Sequence, residues 1–147
     1  MKPKILICDI DWVLADNTHR LYPQNAVSYE DSFSRVSEDT ETKHLDFIQY
    51  IIDMCEVPSD KRVVFLTGRS ISCVEDTQVW LLKHVRSYRD MLIMRPIWDK
   101  RPSVDFKEEE TKKLMEDYDI VLAIDDDIKI IEMYRRLGLN TLHINNA

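Results

Sequence analysis

The sequence predicts an α/β fold: a doubly wound, mainly parallel five-stranded sheet with helices on both faces and at most a minimal cap. Three observations carry that expectation. Five short aliphatic or β-branched runs, at 4–8, 62–67, 91–94, 120–124 and 140–144, are separated by segments of helical period. The first, second and fourth runs are apolar on both faces instead of alternating, as central strands covered on both sides must be. Strand and helix then alternate along the chain, the order that winds a parallel sheet. The 147 residues, 44% of them hydrophobic, suit one domain over 1–147.

Each element follows from its own residues. KILIC at 4–8 makes the first strand and runs into Asp9-Ile10-Asp11. Residues 17–40 carry the least pattern and read as a small insert, a loop with one short helix, too short for a second domain. Over 41–55, Leu45, Ile48, Ile51, Ile52 and Cys55 share one helical face. RVVFLT at 62–67 is the second strand and ends at Thr67-Gly68-Arg69. The helix over 71–86 turns Val74, Leu81, Leu82 and Val85 inward, and MLIM at 91–94 follows as a strand. FKEEETKKLMEDY at 106–118 is a charged helix anchored by Phe106, Leu114 and Tyr118, with Lys107 at its opening. IVLAI at 120–124 leads into Asp125-Asp126-Asp127, with Asp127 as the helix cap. The last helix, 127–137, stops at Gly138, the expected left-handed residue past a C-terminus. NTLHI at 140–144 closes the sheet.

Composition excludes several function classes. With only two glycines, Gly68 and Gly138, neither a P-loop nor a dinucleotide-binding glycine motif can be written. Net charge is −7, from 27 acidic against 20 basic residues, which argues against a broad basic surface for duplex nucleic acid. Cys8, Cys55 and Cys73 form no C-x-x-C pair and no zinc spacing, so they read as reduced, buried thiols of a cytoplasmic protein. The apolar N-terminal run is too short and too soon interrupted by Asp9 for a signal peptide or a membrane span.

In open parallel sheets, ligands bind beyond the carboxyl ends of the strands. Those positions here hold Asp9 and Asp11, then Thr67-Gly68-Arg69, then Asp125-Asp126, with Lys107 on the helix between. In extended chain Asp9 and Asp11 would point the same way, with Cα atoms about 6.6–6.8 Å apart. Facing a second acidic pair, such carboxylates repel unless a cation sits among them, and magnesium suits an all-oxygen set. Thr67 supplies a hydroxyl, Gly68 allows close backbone approach to a phosphate, and Lys107 supplies positive charge. These parts suit covalent phosphoryl transfer, with one aspartate as nucleophile and the other as acid and base. The chain order separates this set from a response-regulator receiver, which places an acidic pair first, then a lone acceptor aspartate, then threonine or serine, with lysine last. Here the threonine comes second and an acidic pair last. The same order separates it from a toprim-type site, which needs its D-x-D late.

The four segments ILICDIDWVLAD, VVFLTGRS, the lysine of FKEEE and IVLAIDDD resemble the four motifs of the haloacid dehalogenase (HAD) superfamily of aspartate-nucleophile phosphatases. AIDDDIKIIEMYRRLGL, IMRP and Arg20 in DNTHRLYP are similar, more narrowly, to the phosphatase domain of bacteriophage polynucleotide kinase-phosphatases and their stand-alone relatives. The resemblance implies Asp9 as nucleophile and magnesium ligand, and Asp11 as general acid and base that also binds the metal through its carbonyl. Thr67 and Lys107 would grip the phosphoryl group, Gly68 lying beside them, and Asp125 and Asp126 would complete the magnesium shell. Arg69 and Arg20 match arginines that assist phosphate or nucleotide binding. Two positions depart from the pattern: Trp12 stands where glycine is usual, as a lid, a base-stacking platform or a mark of drift in substrate choice, and Ser103 where an acidic residue is usual.

The insert at 17–40 is too small for a large cap, so an open site and a bulky substrate are expected. Arg95, Lys100 and Arg101 form a local basic patch with Trp98 beside it. The leading expectation is removal of 3′-terminal phosphate from nucleic-acid ends, with a separate kinase or ligase as a possible partner. The alternatives are a phosphatase of free nucleotides or other small phosphomonoesters, and a catalytically silent binding module.

Overall fold

The computed structural model describes residues 1–20, 31–55, 62–86, 88 and 91–146. Its strands are β1 (Lys4–Cys8), β2 (Ala15–Asp16), β3 (Thr40–Glu41), β4 (Arg62–Ser70), β5 (Leu92–Arg95), β6 (Asp119–Asp125) and β7 (Thr141–His143). Its helices are α1 (Leu45–Met54), α2 (Val74–His84), α3 (Ser103–Asp117) and α4 (Ile128–Arg136). β5, β4, β1, β6 and β7 lie in that order in one sheet, and every pairing within it is parallel. The three runs that are apolar on both faces become the three central strands, β4, β1 and β6.

The doubled burial explains the missing alternation. Leu6, Cys8, Val63 and Phe65 pack on one face against Leu45, Ile48 and Ile52 of α1 and Trp80 and Leu81 of α2. Their neighbours Ile5, Ile7, Val64 and Leu66 pack on the other against Phe106 and Leu114 of α3 and Ile130, Ile131, Met133 and Tyr134 of α4. Each such side chain contributes roughly 1.5–3 kcal/mol of burial, so both faces must stay apolar.

The boundaries differ from expectation for local reasons. α1 starts at Leu45, not 41, because Thr40 and Glu41 pair antiparallel with Asp16 and Ala15. Thr42 then donates its hydroxyl to the Val13 carbonyl, 2.7 Å away. Within 71–86, a 3-10 turn over Ile71–Cys73 precedes α2, and its start is capped by Ser70. α2 buries Trp80 beside Leu81, while Leu82 is exposed. α3 begins three residues early, at Ser103 behind Pro102, so Lys107 sits in its second turn and not at its opening. α4 is capped by Asp127, whose carboxylate accepts from Lys129 N at 2.9 Å, and Gly138 follows it at φ +82. Cys8 and Cys73 are buried and Cys55 half-buried, all three as free thiols.

The insert opens and closes on the β2–β3 ribbon, with 3-10 turns over Thr18–Arg20 and Asp31–Glu38. Phe33 and Val36 from it pack on Cys73 and Met94, beside the carboxyl ends of β4 and β5. Part of the expected loop, 21–30, lies outside the described residues. Among the described residues, no helix is long and apolar enough to cross a membrane.

Candidate active site

β1 and β6 are in register at Cys8 and Ile124, and the ladder continues one step further, Asp9 N donating to Ile124 O at 3.0 Å. That places Asp9 beside Asp125 at the sheet's carboxyl edge. The chain then leaves extended geometry: the N–H groups of Val13, Leu14 and Ala15 all point to the Ile10 carbonyl. Asp9 therefore ends the strand while Asp11 sits on the tight turn that follows, so the two do not share the continuous strand that their spacing suggests.

Carboxylate oxygens of Asp9, Asp125 and Asp126 come within 4.8 Å of one another. Lys107 reaches in from α3, its Nζ 2.6 Å from Asp125 Oδ2 and 3.0 Å from Asp9 Oδ1. Burial alone would lower the Lys107 pKa, but the charges of Asp125 and Asp9 outweigh it and hold the ammonium well above its usual value. Asp9 is likewise raised, well above the carboxylate range, by burial and then by Asp125, which for a carboxyl favours the neutral form. Asp126 is pushed up to about 6 by the same two causes. When all are ionised, three carboxylates share one ammonium, which leaves an excess of two negative charges. An all-carboxylate donor set with that excess fits a hard divalent cation.

Asp11 faces a different environment. Arg69 grips it through Nη2 at 2.8 Å and Nε at 3.2 Å, and Arg20 Nη2 adds a contact at 3.1 Å. Burial alone would raise the Asp11 carboxyl, but Arg69 and then Arg20 hold it below its ordinary value. The two acidic groups of the D-x-D are thus pushed apart in pKa, the pattern of paired groups with different roles.

The arginines converge on Asp39. Its carboxylate accepts from Arg20 Nε at 2.9 Å, from Arg20 Nη2 at 3.1 Å and from Arg69 Nη2 at 2.8 Å. Its backbone is tied down by Trp80, whose indole N–H donates to the Asp39 carbonyl at 2.7 Å. Sequence reasoning missed this residue, which lies in the unpatterned insert. The only available signal was indirect, since two buried arginines need more carboxylate than Asp11 alone offers.

β4 carries a bulge: Thr67 pairs with Met94 and Ser70 with Arg95, so Gly68 and Arg69 lie between consecutive partners. Gly68 thereby faces the cleft, and a Cβ there would meet Ser103 Oγ at 2.9 Å. Arg69 turns into the interior, almost wholly buried. Thr67 is fully buried, its hydroxyl oxygen accepting from Arg69 N at 3.1 Å.

The residues meet at a cleft of about 200 Å³ lined by Asp9, Asp11, Trp12, Gly68, Lys107 and Asp126, with Ser103 at its side. Arg69, Arg20 and Thr67 stand behind this lining. The basic patch is largely committed elsewhere. Arg95 is buried and donates to Gly68 O at 3.2 Å, to Ser103 Oγ at 2.6 Å and to the Arg101 carbonyl. Arg101 pairs with Asp99 at 2.7 Å and Glu109 at 2.6 Å, while Trp98 is largely exposed.

Comparison with known proteins bears on the family and the fold. The viral protein named "Putative bifunctional polynucleotide kinase/RNA ligase", from Autographa californica nuclear polyhedrosis virus, is 28% identical over 95% of this chain. The fold matches that of a chain in a solved Pnkp1/Rnl/Hen1 complex, with a TM-score of 0.78 and 26% identity over 98% of this chain. A class C acid phosphatase from Bacillus anthracis, solved with tungstate bound, shares the fold at a TM-score of 0.66 and 15% identity, over 99% of this chain and 68% of its own. The chain spans 19% of the viral relative and 46% of the chain in the complex. The family model for the polynucleotide kinase PNKP phosphatase domain matches residues 3–147. By that match this chain belongs to the PNKP-type phosphatase-domain family of the HAD class.

Proposed function

We propose that this chain is a magnesium-dependent phosphomonoesterase that removes 3′-terminal phosphate from nucleic-acid ends by way of a phosphoryl group carried on Asp9. The observation that carries the reading is the division of the D-x-D. Asp9 lies against Lys107 in the carboxylate cluster, while Asp11 is held ionised by two arginines.

An oxygen of Asp9, in its carboxylate form, bonds to phosphorus as the bond to the 3′-oxygen breaks. The leaving oxygen takes its proton from Asp11, which gains one from solvent as the negatively charged phosphate enters, a like charge that favours its neutral form. Asp11, now a carboxylate, takes a proton from water, whose oxygen attacks phosphorus and frees Asp9 and inorganic phosphate. Arg69 and Arg20 favour the carboxylate form of Asp11, which suits the second step. Lys107 has three N–H donors; two meet Asp125 and Asp9, and the third is available to a phosphoryl oxygen. Gly68 and the backbone around it would form the opposite side of the phosphate cradle, with Thr67 behind it, its hydroxyl oxygen holding the Arg69 N–H. A magnesium ion would be held by Asp9, Asp125, Asp126 and the Asp11 carbonyl, and would neutralise charge spread over the phosphoryl oxygens.

Metal binding requires the ionised cluster, and Asp126 ionises at about 6. Without metal, raising the pH through that value costs stability, because the folded-state pKa lies above the unfolded one. Magnesium should therefore stabilise the protein by about 2–3 kcal/mol near saturation at about pH 7.5, and by much less at about pH 5. Thermal melts with magnesium and with EDTA at both pH values check this; equal shifts would count against the cluster as the metal site.

The relatives that combine kinase with ligase, or sit in a complex with other repair proteins, support a separate kinase or ligase partner for this chain. A second reading, hydrolysis of free nucleotides, is favoured by the net charge of −7 and by the internal pairing of Arg95 and Arg101. The two are separated by assaying p-nitrophenyl phosphate, 3′- and 5′-mononucleotides and 3′-phosphorylated DNA and RNA oligonucleotides, with magnesium or EDTA. Magnesium-dependent release from the oligonucleotides is expected. Release from mononucleotides alone would favour the second reading, and no turnover at all would leave a binding module.

A further inference from the structure

We propose that Trp12 is the base-recognition element of this site, stacking on the terminal nucleobase of the strand whose 3′-phosphate enters the cleft. This inference rests on the 3′-phosphatase reading and adds to it a specificity-determining residue. Trp12 is the one non-glycine among the described residues with positive φ, at 65. Glycine adopts that backbone without strain, and a residue bearing a β-carbon does not. Strain of this kind persists where the surroundings over-determine it. Here Trp12 N donates to Ala15 O at 2.8 Å, and Asn146 Nδ2 donates to Trp12 O at 3.1 Å. The turn is therefore fixed on both sides of the strained residue, and the indole is carried on a rigid support.

The place of that indole matters more than its strain. Trp12 is half-buried and lines the cleft together with Asp9 and Asp11. A 3′-terminal phosphate is bonded directly to the last nucleoside, so its base must lie at the mouth of the same cleft. Among the described residues, the arginines at and near the cleft are already paired: Arg20 and Arg69 with Asp11 and Asp39, and Arg101 with Asp99 and Glu109. Stacking on an aromatic face adds binding that needs no charge of its own and tolerates any base.

The test compares two 3′-phosphorylated oligonucleotides, one intact and one whose terminal residue lacks its base. The wild-type chain should prefer the intact end by about tenfold in kcat/KM, mostly through KM. In Trp12→Gly, which also relieves the backbone, the preference should fall to near unity; Trp12→Phe should restore much of it. An intact preference in Trp12→Gly, or none in the wild type, overturns the proposal while leaving the 3′-phosphatase reading standing. If the wild-type chain hydrolyses p-nitrophenyl phosphate but neither oligonucleotide, the 3′-phosphatase reading itself fails and this proposal fails with it.

Discussion

Asp9→Asn is expected to lower phosphate release by about 10⁴-fold or more, because a nucleophile and its surroundings act as one unit. The amide is close in shape to the carboxylate, so the fold should survive. Stability should even rise in the absence of metal, since burial and Asp125 hold the Asp9 carboxyl well above its usual pKa. The sign follows from linkage: a carboxylate raised on folding opposes the folded state above its unfolded pKa, and a neutral side chain removes that opposition. The variant should also show a smaller melting shift with magnesium. Steady-state assay and thermal melts read both effects. A variant that keeps wild-type turnover would remove Asp9 from the mechanism.

Asp39→Ala should be the most destabilising single change at the site, by about 3–5 kcal/mol, because it leaves two buried guanidinium groups with Asp11 as their one shared carboxylate among the described residues. Arg20 and Arg69 lose a partner that both contact within 3.1 Å, and the grip on Asp11 loosens with them. Asp39 is a positioning residue, so the fraction that folds should also lose kcat while KM changes less. The neighbouring Glu38 is exposed and pairs with exposed Arg35. Glu38→Ala should therefore stay within about 0.5 kcal/mol. Urea unfolding of both variants checks the contrast; equal costs would mean that the buried network does not hold this corner together.

The division between what the sequence shows and what it hides has a physical basis. The central strands were legible because burial on both faces leaves an apolar run with no alternation, as in KILIC and RVVFLT. Asp9, Gly68, Lys107, Asp125 and Asp126 were legible because strand ends are where such sheets hold ligands, and the structure does gather them. Asp39 was not, because its meaning lies in contacts 19 and 30 residues distant in the chain. Arg20 and Arg69 were expected among the groups that touch phosphate. They stand behind the lining instead, since a bulge in β4 turns Arg69 inward where the sequence suggests a plain strand end. The start of α3 was misplaced because Phe106 is its first fully buried apolar residue, whereas Pro102 sets the actual start. The basic patch is only partly a surface feature: Lys100 and Arg101 are exposed, but Arg95 is buried and Arg101 is paired with Asp99 and Glu109, contacts that a count of arginines does not reveal.

The account stands or falls on where the phosphoryl group goes. A 3′-phosphorylated oligonucleotide labelled with ³²P in its terminal phosphate, mixed with the chain and magnesium and quenched in acid within milliseconds, reads this directly. The expected result is transient label on the protein that wild-type chain shows and Asp9→Asn lacks, followed by free labelled phosphate. Phosphate release with no label on the protein, or label that survives Asp9→Asn, would contradict it.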